Sequence, residues 1–262
     1  MSSDEEDGFA GGLFGEEEEP IAQVPNTVET YERESASFEN NDQPKAFHIR
    51  LVGSHPLWAH HLWNASKVFA SLFDQHPQLV QGKTLLELGA GGALPSLVAA
   101  THQPAKVVVT DYPDAELIEN IQYNVDQNLG SVVPAGVVTV QGFIWGTNTT
   151  KLKAELPEGR TTYDVIILSD LVFNHSQHHA LLKTCRELLT PKTGRVYVFY
   201  THHRPHLAHR DLEFFKIAER PSLGYGFKTD QFITKKMHVM FEEDPGDEQV
   251  RATVHGWQMW LP

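Results

Sequence analysis

Thr84-Leu85-Leu86-Glu87-Leu88 runs directly into Gly89-Ala90-Gly91-Gly92, and Leu94, Leu97 and Val98 follow at helical spacing behind Pro95. This predicts a short buried strand that stops at glycines and opens a helix, with Pro95 tolerated in the first turn. Outward from that unit the pattern repeats. Lys106 to Thr110 reads as a second strand, and Leu117, Ile118, Ile121 and Val125 form a helical face with Asp114 as its cap. Val137 to Val140 and Val165 to Leu168 are further strands, the latter ending at Ser169-Asp170. Leu181, Leu182, Cys185, Leu188 and Leu189 mark a helix that Thr190-Pro191 ends before a strand from Arg195 to Tyr200. A helix is also expected at about 207 to 219. Upstream, Trp58, His61, Leu62, Ala65, Val68, Phe69 and Leu72 predict a helix from about 57 to 73. Near-continuous apolar strands alternating with amphipathic helices point to an α/β fold with a mainly parallel sheet covered on both faces. At the C-terminus, Phe232 to Phe241 and Val250 to Trp260 flank the turn-rich Glu242-Glu243-Asp244-Pro245-Gly246-Asp247, which predicts an antiparallel hairpin.

The 262 residues are 40% hydrophobic, enough for one large globular domain. The net charge of −13 argues against a protein that grips nucleic-acid phosphates over a broad surface. Most of that charge lies in residues 1–45, which hold 13 acidic and 2 basic side chains. We therefore expect an acidic, disordered tail over 1–45 and a folded domain over 46–262. The tail could serve to recruit a basic partner, with Phe9, Leu13 and Phe14 as small anchors. Cys185 is the only cysteine, so no intramolecular disulfide or Cys-rich zinc site is possible, and it reads as a core residue. No stretch approaches the length of a membrane span, and Asp4 to Asp7 stand where a signal peptide needs a basic flank. The expectation is an intracellular, soluble protein.

A glycine loop after the first strand of an open α/β sheet is where such folds bind ligands, although a tight turn needs glycine in any case. Asp111, twenty residues after Gly91 at the end of the next strand, is placed to accept bonds from ribose hydroxyls. A dinucleotide fingerprint requires a third glycine where this chain has Leu94. Glu87, two residues before the first glycine, suits a ligand with an ammonium and no phosphates better than NAD.

The pattern of Glu87-x-Gly89-x-Gly91, an acid after strand two and a terminal hairpin resembles the class I S-adenosylmethionine-dependent methyltransferases. Trp58, Asp111-Tyr112-Pro113, Gly142-Phe143-Ile144-Trp145-Gly146 and Ser169-Asp170-Leu171-Val172-Phe173-Asn174-His175 narrow the resemblance. Together they look like the lysine methyltransferases of non-histone proteins. Within that group the chain resembles the fungal elongation factor 1-alpha methyltransferases, formerly called nicotinamide N-methyltransferase-like, over roughly residues 45–262.

The resemblance implies a Rossmann-like, seven-stranded, mainly parallel sheet with a C-terminal antiparallel hairpin and helices on both faces. It implies S-adenosyl-L-methionine as cofactor, and methylation of the N-terminal glycine and an adjacent lysine of translation elongation factor 1-alpha by a cytoplasmic monomer; the alternatives are a small-molecule, nicotinamide-type amine N-methyltransferase and a non-catalytic interaction module of the same fold. Gly89, Ala90 and Gly91 would line the methionine portion, Asp111 would hold the ribose, and Trp145 would pack on the adenine. Trp58 would close over the cofactor and Ser169 would touch it from the end of strand four. Core packing is the alternative for each tryptophan, and strand-end capping for Ser169. Asp170 and Phe173 match the D-x-x-[FY] motif, with Asp170 orienting the substrate amine and Phe173 offering a ring face to an alkylated ammonium. The alternative for Asp170 and Asn174 is capping of the next helix. The fifteen histidines raise the question of a metal, but Pro205 between His202 and His206 spoils a helical ligand pair. No metal is expected, and His202, His203 and Arg204 are placed in the loop after strand five, near the substrate entrance.

Overall fold

The computed structural model describes residues 24–34, 43–53 and 59–262. In chain order, the strands among these are β1 (Thr27–Glu32), β2 (Ala46–Leu51), β3 (Thr84–Leu88), β4 (Lys106–Asp111), β5 (Val138–Gly142), β6 (Val165–Ser169), β7 (Arg195–Thr201), β8 (Lys228–Lys236) and β9 (Thr253–Trp260). The α-helices are α1 (Asn64–Gln75), α2 (Leu94–Ala100), α3 (Ala115–Leu129), α4 (Thr150–Ala154), α5 (His178–Leu188), α6 (Ala208–Ala218) and α7 (Glu248–Arg251).

Seven strands form one sheet in the order β5-β4-β3-β6-β7-β9-β8. The first five are parallel, while β9 pairs antiparallel with both β7 and β8. Alternate residues of each central strand serve opposite faces. Leu85, Val107, Val109, Val165 and Ile167 join the core under α1, α2 and α3. Leu86, Leu88, Val108, Ile166 and Leu168 join the core under α5 and α6. Burial on both faces is why these strands read as unbroken apolar runs. Because β3, β4, β5, β6 and β7 are adjacent and parallel, their carboxyl ends line one edge of the sheet, the usual ligand edge of such folds. Pro95 lies in the first turn of α2, Asp114 caps α3 by accepting from Glu116 N–H, and Cys185 is fully buried. No helix among the described residues is long and apolar enough to cross a membrane.

Three expectations are corrected. The first concerns the tail over 1–45. Within it, β1 pairs antiparallel with β2 from Thr27↔Leu51 to Glu32↔Ala46. Arg33, directly after β1, is buried and grips Asp74 of α1 through Nε–Oδ2 at 2.9 Å and Nη2–Oδ1 at 2.6 Å. His102 joins the same Oδ1 at 2.9 Å. The free edge of β2 is satisfied by asparagines one turn apart on α3. Asn124 accepts from Arg50 N–H at 2.8 Å and donates to Arg50 O at 2.9 Å, and Asn128 repeats the exchange with His48. Residues 24–34 are thus part of the folded unit.

Second, α1 starts at Asn64, about seven residues later than expected, and Trp58 lies outside the described residues. Third, the hairpin arms are Lys228–Lys236 and Thr253–Trp260, joined by residues 237–252. Asp247 caps α7, accepting from Gln249 N–H and Val250 N–H, instead of closing a tight turn. Phe241 leaves the sheet because its ring packs on His61 and Trp63, and Asn64 draws the segment in by donating to His238 O at 2.6 Å.

Candidate active site

The loop after β3 turns on residues in the left-handed region: Gly89 at φ +64°, Gly91 at +54° and Ala93 at +64°. A Cβ at Gly89 would come within 2.9 Å of Trp145 Cζ2 and 2.8 Å of Leu171 Cδ2, so glycine is needed there for close approach as well as for φ. Gly91 faces open space, with nothing within 4 Å of where a Cβ would stand. Asp111, at the end of β4, locks this loop: its Oδ2 accepts from Gly91 N–H at 2.8 Å and its Oδ1 from Tyr112 N–H at 2.7 Å. Phe143 N–H donates to Asp111 O at 2.8 Å, which brings the segment after β5 alongside. Half-buried Trp145 on that segment lies against Gly89. Gly89, Ala90, Gly91, Asp111 and Trp145 are therefore brought together, and Ser169 ends the neighbouring β6.

The donor set decides between cofactor classes. Pro95 has no N–H, Ser96 N–H is held by Glu87 Oε2 at 3.1 Å, and Leu97 N–H is bonded to Ala93 O. The first turn of α2 therefore lacks the donor cluster that a pyrophosphate requires. The small, open loop and the Asp111 carboxylate instead fit a ligand with ribose hydroxyls and no phosphates. Glu87 contributes differently from expectation. It is fully buried on the α2 side of the sheet, so it does not meet a ligand ammonium, and its role is to hold the start of α2. Burial pushes its carboxyl up to about 8, with the bonds from Ser96 opposing and the charge of Asp111 adding.

Beyond β6, Asp170 sits at φ +57° and is 4% exposed. A non-glycine residue held in that region costs of order 1–3 kcal/mol, the kind of strain that gathers at functional sites. Its side chain does not cap the following helix. Oδ1 receives His203 Nε2 at 3.0 Å and Thr201 N–H at 3.4 Å, while Oδ2 is buried with no hydrogen-bond partner. The His203 ring lies 4.7 Å from Trp63 and 6.5 Å from Phe173, centroid to centroid. Burial works against the charged imidazole, yet the charge and hydrogen bond of Asp170 outweigh it and raise the His203 pKa. Next to it, His202 Nδ1 and His175 Nε2 each bond one oxygen of buried Asp211 at 2.6 Å, tying the segments after β6 and β7 to α6.

Asp170 and Phe173 thus stand at the same edge as the glycine loop. His202 and His203 lie in the loop after β7, where they were expected near the substrate entrance without a specific role, whereas Trp63, Phe241 and Asp211 are additions that the sequence pattern did not assign. For His203 the signal was its place after a strand that neighbours β6, and for Trp63 its place beside Asn64 at the start of the leading helix.

Residues 47–221 match the lysine methyltransferase family model. The chain is 42% identical to the protein N-terminal and lysine N-methyltransferase EFM7 of Cryptococcus neoformans, over 99% of this chain and 91% of that protein. It is 40% identical to the protein of that name from Schizosaccharomyces pombe, over 100% of this chain and 99% of the other. A putative SAM-dependent methyltransferase from Streptococcus mutans shares the fold, with a TM-score of 0.55, 12% identity, and coverage of 82% of this chain and 53% of that one. With two thirds of its length under the family model and whole-length relatives at this identity, the chain belongs to the lysine methyltransferase family.

Proposed function

We propose that the chain is an S-adenosylmethionine-dependent protein N-methyltransferase. Its substrate is translation elongation factor 1-alpha, modified at the N-terminal glycine and an adjacent lysine, and it acts in the cytoplasm as a monomer. The observation that carries this reading is whole-length identity of 40–42% to fungal proteins named for N-terminal and lysine N-methylation. The choice of elongation factor rests on the motif resemblance between residues 58 and 175.

S-adenosylmethionine, when bound, supplies the electrophilic methyl group. Gly89, Ala90 and Gly91 would line its methionine portion, Asp111 its ribose and Trp145 its adenine, with Ser169 contributing from β6. The open space at Gly91 and the locked carboxylate of Asp111 support that assignment. Asp170 and Phe173 receive the amine. An α-amino group has a pKa near ~7.7 and sheds its proton readily at neutral pH, whereas a lysine near ~10.4 must be helped by about 4–5 kcal/mol. A site that excludes water and keeps cationic groups close lowers a lysine toward reactivity, so one pocket serves both amines. The protein's own task is to aim the nitrogen lone pair and keep water out.

The test is transfer of isotope-labelled methyl from S-adenosylmethionine into a lysate of cells lacking this protein, followed by mass spectrometry. Label on the N-terminal peptide of elongation factor 1-alpha supports the proposal. Label on another protein replaces the substrate, and label only in small molecules replaces the protein substrate with a nicotinamide-type amine.

A further inference from the structure

We propose that His203 is a positioning residue for the substrate amine: through Nε2 it pins Oδ1 of Asp170, leaving Oδ2 as the acceptor reserved for the incoming N–H. The inference rests on the reading of Asp170 as the amine site. Its geometric basis is an asymmetry within one carboxylate. Oδ1 has two donors, His203 Nε2 and Thr201 N–H, while Oδ2 is shut off from solvent with none. A buried carboxylate oxygen without a partner loses its hydration uncompensated, and such groups in folded proteins call for an explanation. A partner that arrives with substrate supplies one.

The surroundings suit an ammonium. Asp170 bonds His203, whose ring neighbours those of Trp63 and Phe173, and aromatic faces attract cations. The His203 ring is held on Asp170 through Nε2. Its backbone is held as well, since His203 N–H bonds Thr201 O and the preceding His202 is clamped by Asp211.

Charge gives the role a sign. The groups around the ring are Asp170 after β6, Asp211 on α6 and Asp244 in the β8–β9 connection, all favouring the cation. Arg204 is adjacent in the chain, and His61 stands across Trp63. A protonated His203 cancels the charge of Asp170 and repels an ammonium. A neutral His203 keeps the carboxylate pinned by its Nε2–H and leaves its charge to the substrate. Productive binding therefore rises as pH rises through the His203 pKa, which lies above that of an ordinary histidine.

The experiment compares wild type, His203→Ala and His203→Gln, whose amide can donate to Oδ1 but does not titrate. Each is measured for binding of a free-amine peptide and its N-acetylated counterpart, and for kcat and KM from about pH 6 to 9. We expect the free amine to be preferred by wild type and by His203→Gln. His203→Ala should lose that preference and about 10- to 100-fold in kcat/KM, the worth of one charge-assisted hydrogen bond. His203→Gln should also flatten the acidic limb of the pH profile. Retention of the preference and of kcat/KM within twofold by His203→Ala would overturn the proposal. So would a wild type that binds both peptides equally, and this holds whether or not methyl transfer is seen. Absence of S-adenosylmethionine binding in wild type instead defeats the broader reading, and the two failures are therefore distinct.

Discussion

Asp74 and Asp170 are both buried aspartates bonded to a histidine, and they differ in what is left over. Asp74 gives both oxygens to the bidentate Arg33, and His102 takes a second bond on one of them. Asp170 gives one oxygen to His203 and Thr201 and leaves the other orphaned in a strained backbone conformation. The first arrangement is closed: it ties the segment after β1 to α1 and to the end of α2, away from the ligand edge. The second is open, and it stands beside the glycine loop. Asp74, fully partnered by the protein, is architectural, and half-partnered Asp170 at the ligand edge leaves an acceptor for a ligand.

That contrast can be broken from the architectural side. Arg33→Ala strands the Asp74 charge, which costs about 3–5 kcal/mol in such pairs and should lower Tm by about 6–20 °C. Scanning calorimetry showing a fall under about 2 °C would mean that the N-terminal hairpin is not anchored as described. From the other side, Asp170→Asn should leave Tm within about 2 °C, because asparagine also tolerates the left-handed region, while kcat/KM falls by about 100-fold. Equal losses of stability and activity would place Asp170 with Asp74 as a structural group.

A smaller effect tests a third carboxyl. Glu87 has a folded pKa of about 8, above the ordinary 4.5. Its stabilising contribution is therefore complete below the unfolded value and is lost as pH rises through 8. Glu87→Gln keeps an acceptor for Ser96 N–H and removes the titration. Its Tm should match wild type near pH 4–5 and exceed it near pH 9. A pH-independent difference would contradict the buried, neutral carboxyl.

The parallel core was legible because β3, β4, β6 and β7 are buried on both faces, and such strands must be apolar throughout. β1 was not, since Thr27-Val28-Glu29-Thr30-Tyr31-Glu32 is largely exposed and its hold on the domain depends on Arg33 meeting Asp74, 41 residues away. The hairpin arms were misplaced because Met237 to Phe241 is apolar enough for a strand, although Phe241 packs on Trp63 instead. At the site, Gly89, Gly91 and Asp111 could be read from a local motif. His203 reaches Asp170 across 33 residues and only through the adjacency of β6 and β7, which pattern alone does not give.

The most direct test of the central claim, that the carboxyl edge of β3, β4 and β5 holds S-adenosylmethionine, is calorimetric titration of that cofactor into wild type and Asp111→Ala. The account predicts a single site in wild type and an affinity at least about tenfold weaker in the variant, the loss of bonds to one charged acceptor. Unchanged affinity in Asp111→Ala would contradict it.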